Sequence, residues 1–155
     1  MDRNIEQILP LTFSGVRPGD ETEVRMLIES GGLHTEDLDP SRMQDFLLAR
    51  KGGRICAVAG LEIAGECALL RSLTVAEAQR GQGVGGRLLA AVERYARMRK
   101  VEYLYLLGAQ GEEYFTKRGF AAVDCTAVPQ ALRSTPAYQA LSQGATVCMV
   151  RRLPG

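Results

Sequence analysis

The sequence predicts one mixed α/β domain, and three features carry that expectation. Between residues 46 and 75, three apolar runs are separated by Gly52-Gly53 and Gly65-Glu66, the pattern of an antiparallel strand meander. From Gly83 to Lys100 the apolar period changes from two to 3.6, with Val84, Leu88, Leu89, Val92, Tyr95 and Ala96 on one helical face. Short apolar runs then resume at Tyr103–Leu107, Ala121–Cys125 and Thr146–Arg151, with helical stretches between them. A chain of 155 residues suits a single domain with one core, so residues 1–155 are expected to fold together.

Taken in order, Thr12–Arg17 reads as a first strand closed by Pro18-Gly19. Asp20 is placed to cap a helix with Glu23 as its capping-box partner; Val24, Leu27 and Ile28 form the apolar stripe, and Gly31-Gly32 ends it. Thr35–Asp45 is polar around Pro40 and fits either a short helix or a solvated loop. Phe46–Ala49, Arg54–Ile63 and Cys67–Val75 are the meander strands. The long helix ends in Arg97, Arg99 and Lys100, where positive charge favours the helix dipole. Tyr103–Leu107 is nearly all apolar, the mark of a strand covered on both faces. Glu112–Arg118 is a short helix stopped by Gly119, and Pro129–Gln143 mixes helix and loop.

A formal net charge of +1 gives no footprint for nucleic acid or a membrane surface, and no apolar run is long enough to span a bilayer. Met1–Phe13 lacks the basic start and long apolar stretch of a signal peptide, so the expected compartment is the cytoplasm. Cys56, Cys67, Cys125 and Cys148 are scattered, and three of them lie in apolar, strand-like surroundings. They read as buried, reduced core thiols; the competing reading is a thiol site for a soft metal or metalloid. His34 is the only histidine, which disfavours a Ser-His-Asp triad or a histidine metal site, and no metal is expected.

Gly81, Gly83, Gly85 and Gly86 stand between a strand and the long helix. Without Cβ atoms the backbone can approach a ligand closely, successive N–H groups can converge, and the helix start adds its positive dipole end. A phosphate or diphosphate is the natural guest; a plain flexible turn is the bland reading. A P-loop fails, because Gly86 is followed by Arg87-Leu88 rather than Lys-Ser/Thr. The spacing Gly81-x-Gly83-x-x-Gly86 matches a dinucleotide fingerprint, but Ala76–Arg80 separate it from the strand end and Glu102 precedes the next strand instead of ending it.

Arg80-Gly81-Gln82-Gly83-Val84-Gly85 resembles in full the acetyl-CoA loop of the GNAT superfamily of N-acetyltransferases, Gln/Arg-x-x-Gly-x-Gly/Ala. Tyr114-Phe115-Thr116-Lys117-Arg118-Gly119-Phe120 resembles a second signature of that superfamily. The resemblance extends from about Val16 to Leu153. Gly60–Ile63, Leu69–Leu73 and Pro129-x-x-Leu132-Arg133-x-Thr135 are more narrowly similar to the branch labelled arsenic-resistance N-acetyltransferases and to short N-acetylglutamate-synthase-like enzymes.

The resemblance implies the GNAT fold: a central mixed sheet with an antiparallel meander, splayed strands and flanking helices. It implies acetyl transfer from acetyl-CoA to the amine of a small acceptor, by direct attack in a ternary complex. Cys67–Val75 would splay from Tyr103–Leu107, with Leu73, Thr74 and Val75 along the pantetheine arm. Gln82, Gly83, Val84, Gly85 and Gly86 would donate N–H groups to the diphosphate, after Gly81 and beside Phe115. Arg80 fits either a phosphate contact or solvation. The backbone N–H of Leu73 would stabilise the oxyanion. Glu62, near the meander turn with Glu66, is the candidate base. The superfamily often carries its proton-donating Tyr where Phe115 stands here. Tyr114 is the candidate acid, turned by about 100° from that position. Tyr105 is a weaker candidate that also reads as a packed strand aromatic.

Strand alternation places Arg71 on one side with Leu69, Leu73 and Val75. An arginine in a central strand points to an anionic acceptor, such as an amino acid or amino-acid-like toxin gripped through its carboxylate, or else to an internal salt bridge with Glu62. Arg133 is a second anion contact or an exposed helix residue. A homodimer is possible. Phe115 keeps open the alternative of a non-catalytic acetyl-CoA-binding sensor.

Overall fold

A computed structural model describes residues 9–108, 111–143 and 147–155. The expectations for Thr146 and for the first eight residues fall outside these. The strands are β1 (Leu11–Gly15), β2 (Phe46–Lys51), β3 (Arg54–Ala64), β4 (Cys67–Val75), β5 (Tyr103–Gly108), β6 (Ala121–Val123) and β7 (Val147–Arg152). The α-helices are α1 (Glu21–Ser30), α2 (Val84–Met98), α3 (Glu112–Thr116), α4 (Gln130–Arg133) and α5 (Pro136–Leu141). Single 3₁₀ turns occupy Pro40–Met43, Glu77–Gln79 and Cys125–Ala127. The strands hydrogen-bond in the order β1-β2-β3-β4-β5-β7-β6, a seven-stranded mixed sheet in which β4 and β5 run parallel. The chain groups into two compact units: Met1–Gly60 with Ser72–Val92, and Leu61–Arg71 with Glu93–Gly155.

In the first unit, β1, β2 and β3 pair antiparallel, from Leu11↔Lys51 to Gly15↔Leu47 and from Phe46↔Gly60 to Lys51↔Arg54. Gly52 and Gly53 take positive φ in the turn, as the sequence requires for a tight hairpin. Val24 and Ile28 of α1 pack on Phe46, Leu48 and Val58 of the strands. Gly60 is glycine for packing: a Cβ there would lie 2.3 Å from the Phe46 ring. Asp20 stands at the helix start but makes no capping bond from its side chain. Its carboxylate accepts instead from the Arg17 N–H and pairs with Arg50, itself buried and also bonded to Ser14. The expected capping box is therefore absent, because burying the Arg50 charge demands a counter-charge more strongly than an exposed helix end demands a cap. Thr35–Asp45 resolves into the Pro40–Met43 3₁₀ turn, with Pro at its first position and Asp39 accepting from the Ser41 N–H.

In the second unit, β5 pairs parallel with β4 and antiparallel with β7, and β7 pairs antiparallel with β6. Glu93, on the C-terminal part of α2, forms an ion pair with Arg151 of β7 at 3.0 Å. Burial pushes the Glu93 carboxyl above its ordinary pKa, against the pull of Arg151 and Arg97. On the opposite face of β7, Cys148 joins Leu69, Val128, Leu132 and Ala137 in one core. α5 starts at Thr135-Pro136 as its sequence dictates: Pro fits the first turn, and the Thr135 hydroxyl accepts from the Tyr138 N–H.

The expectation of four reduced core thiols fails for two of them. Cys125 and Cys148 form a disulfide, so they are not reduced core thiols; Cys56 and Cys67 are free. Val123 pairs with Cys148 across β6–β7, and Cys125, two residues beyond, is thereby delivered to the Cys148 side chain. A thiol site combining Cys67 with that pair has no geometric basis. Cys67 is in register with Tyr103, and Cys148 with Leu107 four residues further along β5 and one strand beyond it. That offset is about 13 Å along the strands alone. Among the described residues no group of three His, Cys, Asp or Glu side chains is arranged to hold a metal ion, and no helix is long and apolar enough to cross a membrane.

Candidate active site

The glycine turn lies wholly in the first unit and is anchored at both ends. At its start, the Ala76 N–H donates to the Cys56 carbonyl at 2.8 Å. The Glu77–Gln79 3₁₀ turn follows, and the Arg80 guanidinium reaches back to the Val75 carbonyl, Nε to O 3.0 Å. Arg80 is thus a brace of the loop; it is also exposed, so its remaining N–H groups face solvent. Gly81 and Gly83 have φ of 78° and 77°, a left-handed backbone that favours glycine. A Cβ built on either would meet no atom within 4 Å, so the space beside these two residues is open. The first helical bond of α2 runs from the Arg87 N–H to the Gly83 carbonyl. The N–H groups of Val84, Gly85 and Gly86 precede it and have no intrahelical acceptor. They form the positive end of a 15-residue helix. An open cradle of amides with a helix dipole behind it fits a diphosphate, so these residues suit the phosphate end of coenzyme A.

Leading into this turn, Ser72 of β4 has φ 61°, left-handed backbone in the middle of a strand and without a glycine. The irregularity breaks strand alternation. Arg71 precedes it and Leu73 and Val75 follow it, so the expected alignment of Leu69, Arg71, Leu73 and Val75 on one side runs across this irregular point of the strand. Thr74 is buried, packed on Gly31 at the end of α1, and its hydroxyl donates to the Ser72 carbonyl at 3.1 Å. Its side chain serves the fold, and only its backbone is left for a ligand. Leu73 and Val75 are half-buried.

One residue of this neighbourhood gave no signal in the sequence. Lys51, at the end of β2, places its Nζ 3.4 Å from the Gln82 Oε1 and 3.5 Å from the Gln79 Oε1. Nothing local marks a lysine before Gly52-Gly53 as a neighbour of a loop some thirty positions away.

In the second unit, the described parallel ladder of β4 and β5 runs only from Cys67↔Tyr103 to Leu69↔Tyr105, while β4 continues to Val75. Cys67 and Leu69 therefore share a face with Tyr103 and Tyr105, and α4–α5 cover that face through Leu132 and Ala137. Arg71, two residues beyond Leu69, lies on it too and is only 3% exposed. Glu62 lies two residues before Ala64, which packs on the same core, so alternation puts Glu62 on this side as a half-buried carboxylate. Arg133 follows Leu132 on α4. It is half-buried, and its Nε is buried with no hydrogen-bond partner. The reading of Arg133 as an exposed helix residue is corrected. A buried guanidinium donor without an acceptor is costly, and an anionic ligand would satisfy it.

Tyr114 and Phe115 sit on α3. The Arg118 guanidinium lies over the Tyr114 ring, 3.6 Å from its centre. Phe115 meets Tyr114 and Phe120 edge-on, at 5.2 and 5.5 Å between ring centres. The Phe120 N–H donates to the Phe115 carbonyl and the Gly119 N–H to the Thr116 carbonyl, both at 3.1 Å, with Gly119 at φ 94°. This is a Schellman helix ending with its apolar contact in place. The aromatic-x4-Phe spacing around Gly119 therefore has a structural cause of its own: Phe115 closes the helix end. Tyr105 is half-buried beside the α4–α5 core, and burial raises its hydroxyl pKa, with Cys67 and Tyr103 adding to the rise.

The sequence model of the acetyltransferase (GNAT) family matches residues 5–139. Among solved structures, N-acetylglutamate synthase from Neisseria gonorrhoeae, complexed with coenzyme A and N-acetyl-glutamate, is similar with a TM-score of 0.82 at 23% identity; the match covers 94% of this chain and 36% of that one. This chain thus spans about a third of that synthase. Rv2747 from Mycobacterium tuberculosis, in complex with CoA and NLQ, matches with a TM-score of 0.75 at 17% identity over 92% and 99% of the two chains. The ribosomal-protein-S18-alanine N-acetyltransferase from Escherichia coli matches at 0.67 and 15% identity over 94% and 96%. At these identities the structures establish the shared fold.

Proposed function

Because the chain belongs to the acetyltransferase (GNAT) family, we propose that it transfers the acetyl group of acetyl-CoA to the amine of a small acceptor that also carries a carboxylate or similar oxyanion. Amino acids and amino-acid-like toxins are the acceptor class. The observation that carries the acceptor reading is the buried, unsatisfied Nε of Arg133 on the side of the sheet that also carries Arg71. Guanidinium groups bind carboxylates through paired, charge-assisted bonds. One solved relative, the N-acetylglutamate synthase from Neisseria gonorrhoeae, is described in one structure as complexed with N-acetyl-glutamate and in another with L-arginine, which makes amino acids the first compounds to test. The arsenic-linked branch resemblance adds amino-acid-like arsenicals to that list.

Acetyl-CoA supplies an activated thioester. Gly81–Gly86 hold its phosphate end through main-chain N–H groups, and Leu73 and Val75 offer backbone groups further along. Only a neutral amine attacks a thioester, so Glu62 accepts a proton from the acceptor ammonium, directly or through water. The Leu73 N–H donates to the oxygen that gains charge. Tyr114, held by the stacked Arg118, is the candidate proton donor to the leaving thiolate. The proposed compartment is the cytoplasm.

A thiol-release screen over amino acids, amino-acid-like toxins and polyamines tests the class. Carboxylate-bearing amines should be turned over, and polyamines should not. Arg71→Ala and Arg133→Ala should each raise the acceptor KM by about 10–100-fold, the loss of one charge-assisted contact, with the acetyl-CoA KM far less affected. Equal effects on both KM values would remove the anion grip. The second reading, a sensor that binds acetyl-CoA without turnover, is favoured by Phe115 at the superfamily's usual Tyr position. CoA binding with no thiol release across the whole panel would select it.

A further inference from the structure

We propose that Lys51 is a phosphate-binding residue for coenzyme A, an assignment that rests on the cofactor reading of the glycine turn. The β2–β3 hairpin brings it there. Ala76, which opens the loop, is hydrogen-bonded to Cys56 of β3, and Lys51 stands at the hairpin end across from Arg54. Its half-buried side chain ends at the Gln79 and Gln82 amide oxygens, so the ammonium lies against the loop whose amides form the cradle.

The partners Lys51 has are weak ones. Both acceptors are neutral, and 3.4 and 3.5 Å are at the outer limit of hydrogen bonding. Exchanging one for a phosphate oxygen replaces a long neutral contact by a short charge-assisted one. Coenzyme A offers two targets of one chemistry, its diphosphate and its 3′-phosphate.

Calorimetric titration of the purified chain with CoA and with 3′-dephospho-CoA tests the assignment. Lys51→Met and Lys51→Gln should each raise the Kd for CoA by about 5–10-fold, and raising the salt concentration should weaken the native chain more than either variant. Lys51→Arg should bind CoA within about twofold of the native chain. If the loss persists with 3′-dephospho-CoA, Lys51 meets the diphosphate; if it vanishes, Lys51 meets the 3′-phosphate. Either result supports the proposal. CoA affinity within twofold of native in both Lys51→Met and Lys51→Gln overturns it while leaving the loop assignment intact. A native chain that binds no CoA at all defeats the loop assignment itself.

Discussion

Replacing Gly83 by alanine and by glutamate separates its backbone role from its place against a phosphate. At φ 77° an L side chain costs about 1–2 kcal/mol. A Cβ there meets nothing within 4 Å, so packing adds no further penalty in the free protein. For a chain of this size each kcal/mol shifts the melting temperature by about 2–4 °C, so Gly83→Ala should lower it by about 2–8 °C. Gly65→Ala is the control. Gly65 also has positive φ, 63°, and open space, but it lies in the turn at the far end of β4. It should melt earlier by a similar amount and bind CoA normally. Gly83→Glu adds a negative charge at the cradle. At roughly 5 Å and an effective dielectric of about 20–80, repulsion amounts to about 1–3 kcal/mol for each phosphate charge. The Kd for acetyl-CoA should therefore rise at least about tenfold. Calorimetric titration of the three variants reads this directly. A Gly83→Glu chain that binds acetyl-CoA as the native one does would refute the placement of the diphosphate.

Other expectations follow from the same coordinates. Reduction of Cys125–Cys148, which are 23 positions apart, should destabilise the fold by about 3 kcal/mol, measured by urea unfolding with and without dithiothreitol; coincident curves would show that the bond is absent in solution. Gly60→Ala forces a methyl group into the Phe46 ring and should cost about 1–3 kcal/mol, or more if the hairpin cannot shift; a native melting temperature would mean that Phe46 relaxes freely. Burial alone would raise the Asp20 carboxyl pKa, but the Arg17 N–H and the Arg50 guanidinium outweigh it and hold the pKa below the ordinary range. A depressed folded pKa contributes stability above the unfolded value of about 3.9 and loses it as pH falls through the folded one. Unfolding free energy should therefore drop more steeply below about pH 4 in the native chain than in Asp20→Asn, and parallel profiles would exclude Asp20 as a contributor.

The sequence by itself determined the features whose causes are local. Period and turn residues located β4 at Cys67–Val75, the turns at Gly52-Gly53 and Gly65-Glu66, and the change to a helix at the glycine segment. They did so because each reflects a backbone preference of a few neighbouring residues. The Gly119 helix ending was legible for the same reason, although only the Phe115–Phe120 contact revealed what its aromatic residues do. Features that join distant segments were decided by the tertiary structure. Asp20 left its capping role for Arg50, thirty positions away. Cys125 found Cys148 through the β6–β7 register, Lys51 reached the glycine turn through the β2–β3 hairpin, and Arg133 acquired a buried donor under α4. Ser72 took a left-handed backbone that serine does not prefer, within a strand whose sequence predicts regular alternation. Each of these is set by which strands become neighbours and what must be paired or buried between them, a global balance that no short stretch of chain encodes.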